Sequence, residues 1–267
     1  MTGGEGAARG MTRPVVRLLG RIGELSAVAL DGLRHSWDVR TWWWEFAGQC
    51  WFLAKVTSVP VLLVSIPLGA TIALQVGDLA WQLGASSATG GAVVAGVVRE
   101  VAPMASALLI SGAGGSAMTS DIGARHIRDE LAAMEVMAVD PVRRLVTPRL
   151  WAASTVAVLL VPLVILSAAG GGYFFNVIVQ GVTPGAYLDG ALSLLRPGDL
   201  LVTLFKAWVY GLVTATVSCH MGMTCATSPV GVGRAVNRAT VVTFMLVFSV
   251  NYVVSTLYYL LFPPGSA

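Results

Sequence analysis

Five long apolar runs, separated by short polar stretches, dominate the pattern of this chain. At about 20 apolar residues per crossing, they predict membrane spans over about 51–76, 91–118, 150–179, 200–222 and 240–262. Several exceed the minimum length, which calls for tilt or kinks. Pro60, Pro67, Pro103 and Pro162 supply kink sites, because each removes a backbone donor. The glycine run Gly170, Gly171 and Gly172 marks a place where the third span ends or bends. Alternating ten-residue segments with turns, the pattern of a membrane barrel, are absent from the sequence. The expected fold class is an all-α polytopic membrane protein with five transmembrane helices.

The polar stretch between the second and third runs is unlike the others. Residues 115–149 read GSAMTSDIGARHIRDELAAMEVMAVDPVRRLVTPR, with five arginines and five acids in a chain of which 12% is charged. Such a segment cannot lie in lipid, where its charges and backbone would be desolvated. Asp121 is placed to cap a helix, and Asp140–Pro141 to end it, which predicts a helix over about 121–140. Within it Ile127, Leu131, Met134 and Ala138 recur at i, i+4, i+7 and i+11, one apolar stripe at the α-helical period. Met137 widens the stripe, Glu130 sits at its margin, and Arg125, Arg128, Asp129 and Glu135 lie off it. The stripe rests either on the protein's own spans and lipid headgroups or in the groove of a partner protein. Acids at 129, 130, 135 and 140 are poor company for an anionic leaflet, and methionines suit an adaptable interface, so the partner is favoured.

Composition agrees with the membrane class. The mean hydropathy is +0.75 and 55% of residues are hydrophobic, whereas a soluble domain of 267 residues would need more charge on its surface. The net charge of +3 calls for no nucleic-acid partner. Residues 1–35 carry no recognisable cleavable signal peptide. Arg9, Arg13, Arg17, Arg21, Arg34 and Arg40 precede span one, and the arginines of 115–149 together with Arg234 and Arg238 fall on the same side, against Arg196 alone on the other. The positive-inside bias places the N-terminal segment and the charged stretch in the cytoplasm, and the tail 263–267 outside. Ahead of span one, HSWDVRTWWWEFAGQCWF mixes tryptophans with charge, which predicts an interfacial helix over 36–50, or else the wet start of a longer first span.

Charges inside a span default to functional candidates. Lys55, near the inner end of span one, can snorkel to headgroups. Lys206 lies about two turns into span four and either snorkels or lines a lipid path. Arg99 and Glu100 lie roughly 15 Å into span two. They point about 100° apart and need not pair with each other. They either form a buried network that fixes helix register or offer a polar contact to a lipid headgroup. The small-residue run 111–117 permits close helix approach, here read as packing within one subunit.

Some chemistry is missing from the sequence. There is no G-x-x-x-x-G-K-[ST] loop, since the only lysines, Lys55 and Lys206, follow Ala54 and Phe205. HExxH and GxSxG are absent too. Cys50, Cys219 and Cys225 form no disulfide framework. Cys219, His220 and Cys225 read as small residues and a histidine at a helix end rather than as a metal site. No metal or cofactor is expected on the chain.

Residues 99–152, REVAPMASALLISGAGGSAMTSDIGARHIRDELAAMEVMAVDPVRRLVTPRLWA, resemble the signature of the MlaE/YrbE permease family, including its MEVMxVDPxRxLVxPR run. GVGRAVNRATVV at 231–242 resembles the family's stretch before its last span, Lys206 falls where the family has a lysine, and Asn251 where it often has an acid. The resemblance covers about 42–259, and places a permease domain over 51–262. It implies a membrane subunit of an ABC lipid transporter working with extracytoplasmic MCE proteins in a bacterial inner membrane. The charged stretch would be a coupling helix gripped by a cytoplasmic ATPase dimer, through Ile127, Asp129, Glu130, Leu131, Ala133, Met134, Glu135, Met137 and Asp140. ATP and magnesium would sit on that ATPase. Leu74, Gln75, Arg99, Glu100, Lys206 and Asn251 would line the lipid path. A second permease of the family would complete the cavity, and the likeness is greatest to the actinobacterial A-type. Asp129 and Ala132 replace the family's usual Glu and Asp/Ser, which fits one subunit of an unequal pair. The alternatives are a scaffold that transports nothing and an intramembrane lipid-modifying enzyme. His35 and His126 lie outside the predicted spans and His220 at the end of one, so no catalytic group converges at one depth.

Overall fold

The computed structural model describes residues 23, 25–32, 34, 39–84, 89–194 and 197–261. Among them there is no strand, and five helices are long and apolar enough to cross a membrane. We label the helices α1 (Val39–Gln82), α2 (Thr89–Ile127), α3 (Glu130–Val136), α4 (Val142–Val179), α5 (Pro184–Leu194), α6 (Pro197–Met223) and α7 (Pro229–Leu261). The spans are α1, α2, α4, α6 and α7.

The helices outrun the predicted spans. α1 has 44 residues, about 66 Å of helix, against about 30 Å of hydrocarbon. No separate interfacial helix precedes it from Val39 onward: the tryptophan-rich stretch is the first part of α1, with Trp43 and Trp44 exposed and Trp42 buried. Residues 36–38 of that expected helix, and the tail 263–267, lie outside the described residues. Pro60 and Pro67 sit within α1 without ending it. α7 begins at Pro229, so Arg234 and Arg238 occupy its first turns rather than a loop. Ahead of α1, residues 25–32 are helical, with Val28 against the core and the Thr147 hydroxyl donating to the Gly32 carbonyl at 3.3 Å.

α4 is the centre of the bundle. Its Ala152, Ala153, Val156, Ala157, Leu160, Val161 and Val164 form the spine of the main core, with α1 on one flank and α6 on the other. The third span does not end at the glycine run: α4 continues through it to Val179. Gly171 instead allows α1 to approach, since a Cβ there would stand 2.5 Å from the Ile66 carbonyl oxygen. Gly69 of α1 does the same, with a Cβ only 2.0 Å from the Ala168 carbonyl oxygen. The small residues of α2 pack within the chain: Gly114 faces Leu53 of α1, and Gly115 faces Ser218 of α6. α5, which the pattern did not predict, lays Tyr187 and Ala191 on Val94 and Val98 of α2.

Gly69→Ala is expected to destabilise the protein by about 2 kcal/mol through overpacking, lowering its thermal midpoint in detergent by roughly 5 °C. Gly170→Ala, at a site with open space around the added carbon, is expected to leave the midpoint unchanged or raise it, because alanine is the better helix former. Equal shifts for the two variants would contradict the close α1–α4 contact.

Candidate functional site

A proline sets up the polar centre of the bundle. Pro103 of α2 has no N–H to give the Arg99 carbonyl one turn back. The helix ahead of it widens into a π-helical turn over Val97–Val101, in which the Ala102 N–H reaches the Val97 carbonyl. That leaves the Val98 carbonyl without Ala102 and, five residues on, facing the same proline. Both carbonyls are met from α6: the Thr203 hydroxyl shares its one hydrogen between Val98 O at 2.9 Å and the Asp199 carbonyl of its own helix at 2.8 Å, and the Lys206 ammonium donates to Arg99 O at 3.1 Å. A buried backbone group needs such a partner, most of all in an apolar surrounding.

The side chains around this opening form one network joining α2, α6 and α7. Lys206, only 2% exposed, also donates to Glu100 Oε1 at 2.9 Å and to Ser255 Oγ at 2.8 Å. Ser255 in turn donates to Glu100 Oε1 at 3.1 Å, and Asn251 Nδ2 to Glu100 Oε2 at 3.2 Å. The Tyr210 hydroxyl donates to Asn251 Oδ1 at 2.6 Å. Arg99 turns the other way, to buried Asp199 at 2.9 Å, which also accepts from the Tyr258 hydroxyl at 2.8 Å. The two adjacent charges of α2 thus pair with different partners. The space among Arg99, Glu100, Asp199, Lys206 and Tyr258 is about 10 Å³, room for no more than a water.

The structure therefore brings together Arg99, Glu100, Lys206 and Asn251. Leu74 and Gln75 lie on α1 and join no bond of this network; the Leu74 carbonyl accepts from Gln180 at 3.4 Å. A separate recess of about 580 Å³ opens nearby, lined by Gly77, Asp78, Trp81, Thr89 and Gln180. Asp199, Thr203, Tyr210, Ser255 and Tyr258 were missed from the sequence. A signal for them exists: 199, 203, 206 and 210 stand at i, i+4, i+7 and i+11 on α6, and 251, 255 and 258 at i, i+4 and i+7 on α7. Polar residues at helical spacing in apolar helices mark a shared face. Lys55 is exposed on α1.

The charged stretch departs from the single helix over 121–140. Asp121 lies inside α2 rather than at an N-cap, and Asp129 adopts a left-handed conformation (φ 57°) that separates α2 from the short α3. Ala138 is left-handed as well (φ 57°), beyond the end of α3 at Val136. Asp140 ends no helix; its carboxylate accepts from the Val142 N–H at 2.9 Å and opens α4. The stripe is broken accordingly. Ile127 packs on the cluster of Cys225, Val232 and Ala235, Leu131 is buried and Met134 half-buried. The exposed face holds Asp129, Ala133, Glu135, Met137 and Asp140 together with Val136 and Val139, two apolar residues that the stripe did not include. Glu130 is bound within the loop, to Arg128 at 2.8 Å and Arg125 at 3.8 Å. Cys225 faces His126 at 3.8 Å, and burial pushes its thiol up. No three of the described His, Cys, Asp and Glu residues cluster as metal ligands.

Fold and site define a five-span helical membrane protein with a buried polar joint and a charged loop between its second and third spans. The profile of the family described as Permease MlaE matches residues 46–257, and the chain belongs to that family. It is 27% identical over 242 residues to the intermembrane phospholipid transport system permease protein MlaE of Haemophilus influenzae, covering 90% of this chain and 92% of the relative. It is 25% identical over 252 residues to a probable ABC transporter permease protein of Rickettsia bellii (94% and 97% covered). A probable ABC transporter permease protein of Synechocystis is 28% identical over 190 residues (71% and 72% covered).

Glu100→Gln leaves Lys206 buried without its counter-ion. The expected cost is about 2 kcal/mol, below the range for a fully enclosed pair because Glu100 is partly exposed. The double variant Glu100→Gln, Lys206→Met is expected to recover part of the lost thermal midpoint. Strictly additive losses in that double-mutant cycle would mean that the two charges do not act as a pair.

Proposed function

We propose that the chain is the membrane-spanning permease subunit of an ABC-type lipid transporter. The observation that carries this is the family match across all five spans. The name of the Haemophilus relative supports a phospholipid-class cargo. With no nucleotide-binding loop in the sequence, ATP and magnesium belong to a separate cytoplasmic ATPase dimer, and the chain itself is a transport subunit rather than an enzyme. A second permease, identical or not, completes the cavity, and extracytoplasmic MCE proteins exchange lipid with it. The excess of arginine on one side supports an inner-membrane topology with the N-terminus and the charged loop cytoplasmic and the C-terminus outside.

The ATPase docks on the exposed face of the loop. Ala133, Val136 and Met137 enter its cleft, and Asp129, Glu135 and Asp140 form the polar rim. Ile127, Leu131 and Met134 act as the foundation of that surface, while Glu130 braces it through Arg128 and Arg125. On the lipid side, Leu74 and Gln75 contribute from α1, and the polar joint at Arg99, Glu100, Lys206 and Asn251 lies beside the path. Glu100, Lys206 and Asn251 bond to one another within the chain, which supports a joint first and a headgroup contact when α2, α6 and α7 separate.

Met137→Glu is expected to abolish capture of an ATPase by this chain in a pull-down, with the amount of inserted protein unchanged. Glu130→Lys, which reverses the brace, is expected to stop transport as well. Survival of both ATPase capture and transport in both variants would place docking elsewhere.

A further inference from the structure

We propose that the buried pair Arg149–Asp121 is a positioning pair that makes the docking loop rigid at its base, so that movement imposed on α3 reaches α2 and α4 together. The proposal rests on the functional reading above. Arg149 stands in the first turns of α4 and is wholly buried. One arm of its guanidinium donates to the Leu145 carbonyl at 2.8 Å, and the other to the carboxylate of Asp121 on α2. Asp121 precedes the loop and Arg149 follows it, so their bond closes the segment that carries α3.

The pair is the inner end of a run of alternating charge. Asp121 also meets Arg125 at 3.4 Å, Arg125 meets Glu130 at 3.8 Å, and Glu130 meets Arg128 at 2.8 Å. Glu130 begins α3, which the left-handed Asp129 separates from α2. Backbone alone would therefore let α3 swing on the two left-handed residues, Asp129 and Ala138. The ion-pair run resists that swing, and its anchor cannot yield easily. A cation with no exposed surface would lose the one carboxylate partner it has among the described residues if α2 and α4 parted here. Next to it, the Thr119 hydroxyl shares its hydrogen between the Gly115 carbonyl of its own helix at 2.9 Å and the Ser218 carbonyl of α6 at 3.0 Å, and Gly222 brings α6 close to Ile122. The base is thus tied to α6 too.

The test uses the complex captured by this chain, purified and placed in liposomes with a phospholipid carrying a fluorescent acyl chain. Asp121→Asn keeps the size of the half-exposed partner and removes its charge. The variant complex is expected to retain its ATPase and hydrolyse ATP within about twofold of the parent, while lipid moved per ATP falls about tenfold. Asp121→Glu is expected to restore most of that ratio. Arg125→Gln, farther out on the run than the wholly buried Arg149, is expected to lower the ratio about threefold. An unchanged ratio in Asp121→Asn overturns the proposal. So does loss of the ATPase from the complex, which would make the pair part of the docking surface. Should Asp121→Asn fail to insert, Arg125→Gln decides: a lowered ratio supports the proposal and an unchanged one overturns it. A parent chain that captures no ATPase sinks the functional reading itself, a failure visible before any variant is compared.

Discussion

Inside an apolar bundle, a backbone carbonyl that loses its helical partner must find another, and that constraint organises the centre of this protein. Pro103 denies a donor to the Arg99 carbonyl, and the π-helical turn it accompanies strands the Val98 carbonyl as well. α6 answers with Thr203 and Lys206. A lysine so placed is a buried cation, and the cation requires Glu100. Glu100 in turn has more acceptor capacity than one lysine fills, and α7 supplies Asn251 and Ser255 to it. Three spans are thus tied by consequences of one missing N–H. The remaining pair, Arg99 with Asp199, extends the same joint to the start of α6.

The rest of the bundle is held by a different kind of contact. α1 and α4 meet backbone to backbone at Gly69 and Gly171, where any side chain would force them apart. This makes α4 a common support, packed by small residues on one side and carrying Arg149 at its end. The polar joint and the charged loop are therefore not separate sites on a passive scaffold. α2 runs through both: it contributes Arg99 and Glu100 to the joint and Asp121 to the base of the loop. On the proposed function, α2 is the one continuous helix that links the docking loop to the polar joint.

Most of the architecture was legible because hydropathy reports the hydrocarbon core directly: all five spans are where the apolar runs lie. Their ends were not legible, because a helix continues into water wherever its backbone bonds are satisfied, as α1 does through its tryptophans and α7 through Arg234 and Arg238. α5 was missed since eleven residues are too few to span and too apolar to read as a loop. The helix over 121–140 failed for a local reason. Periodicity cannot register two left-handed residues, Asp129 and Ala138, that lack the glycine signature of such positions. Among the site residues, Arg99, Glu100 and Lys206 were found as intramembrane charges and Asn251 through the family resemblance, but Asp199, Thr203, Tyr210, Ser255 and Tyr258 were not. Serine, threonine and tyrosine are ordinary in apolar helices until their spacing is compared across α6 and α7.

Reconstitution tests the central claim most directly. The complex captured by this chain is placed in liposomes with a labelled phospholipid, and lipid movement is followed with ATP, without ATP, and with vanadate. The account predicts movement only with ATP, its arrest by vanadate, and recovery of the lipid chemically unchanged. Movement by the purified chain alone without ATP, or turnover of the lipid into a new product, would contradict it.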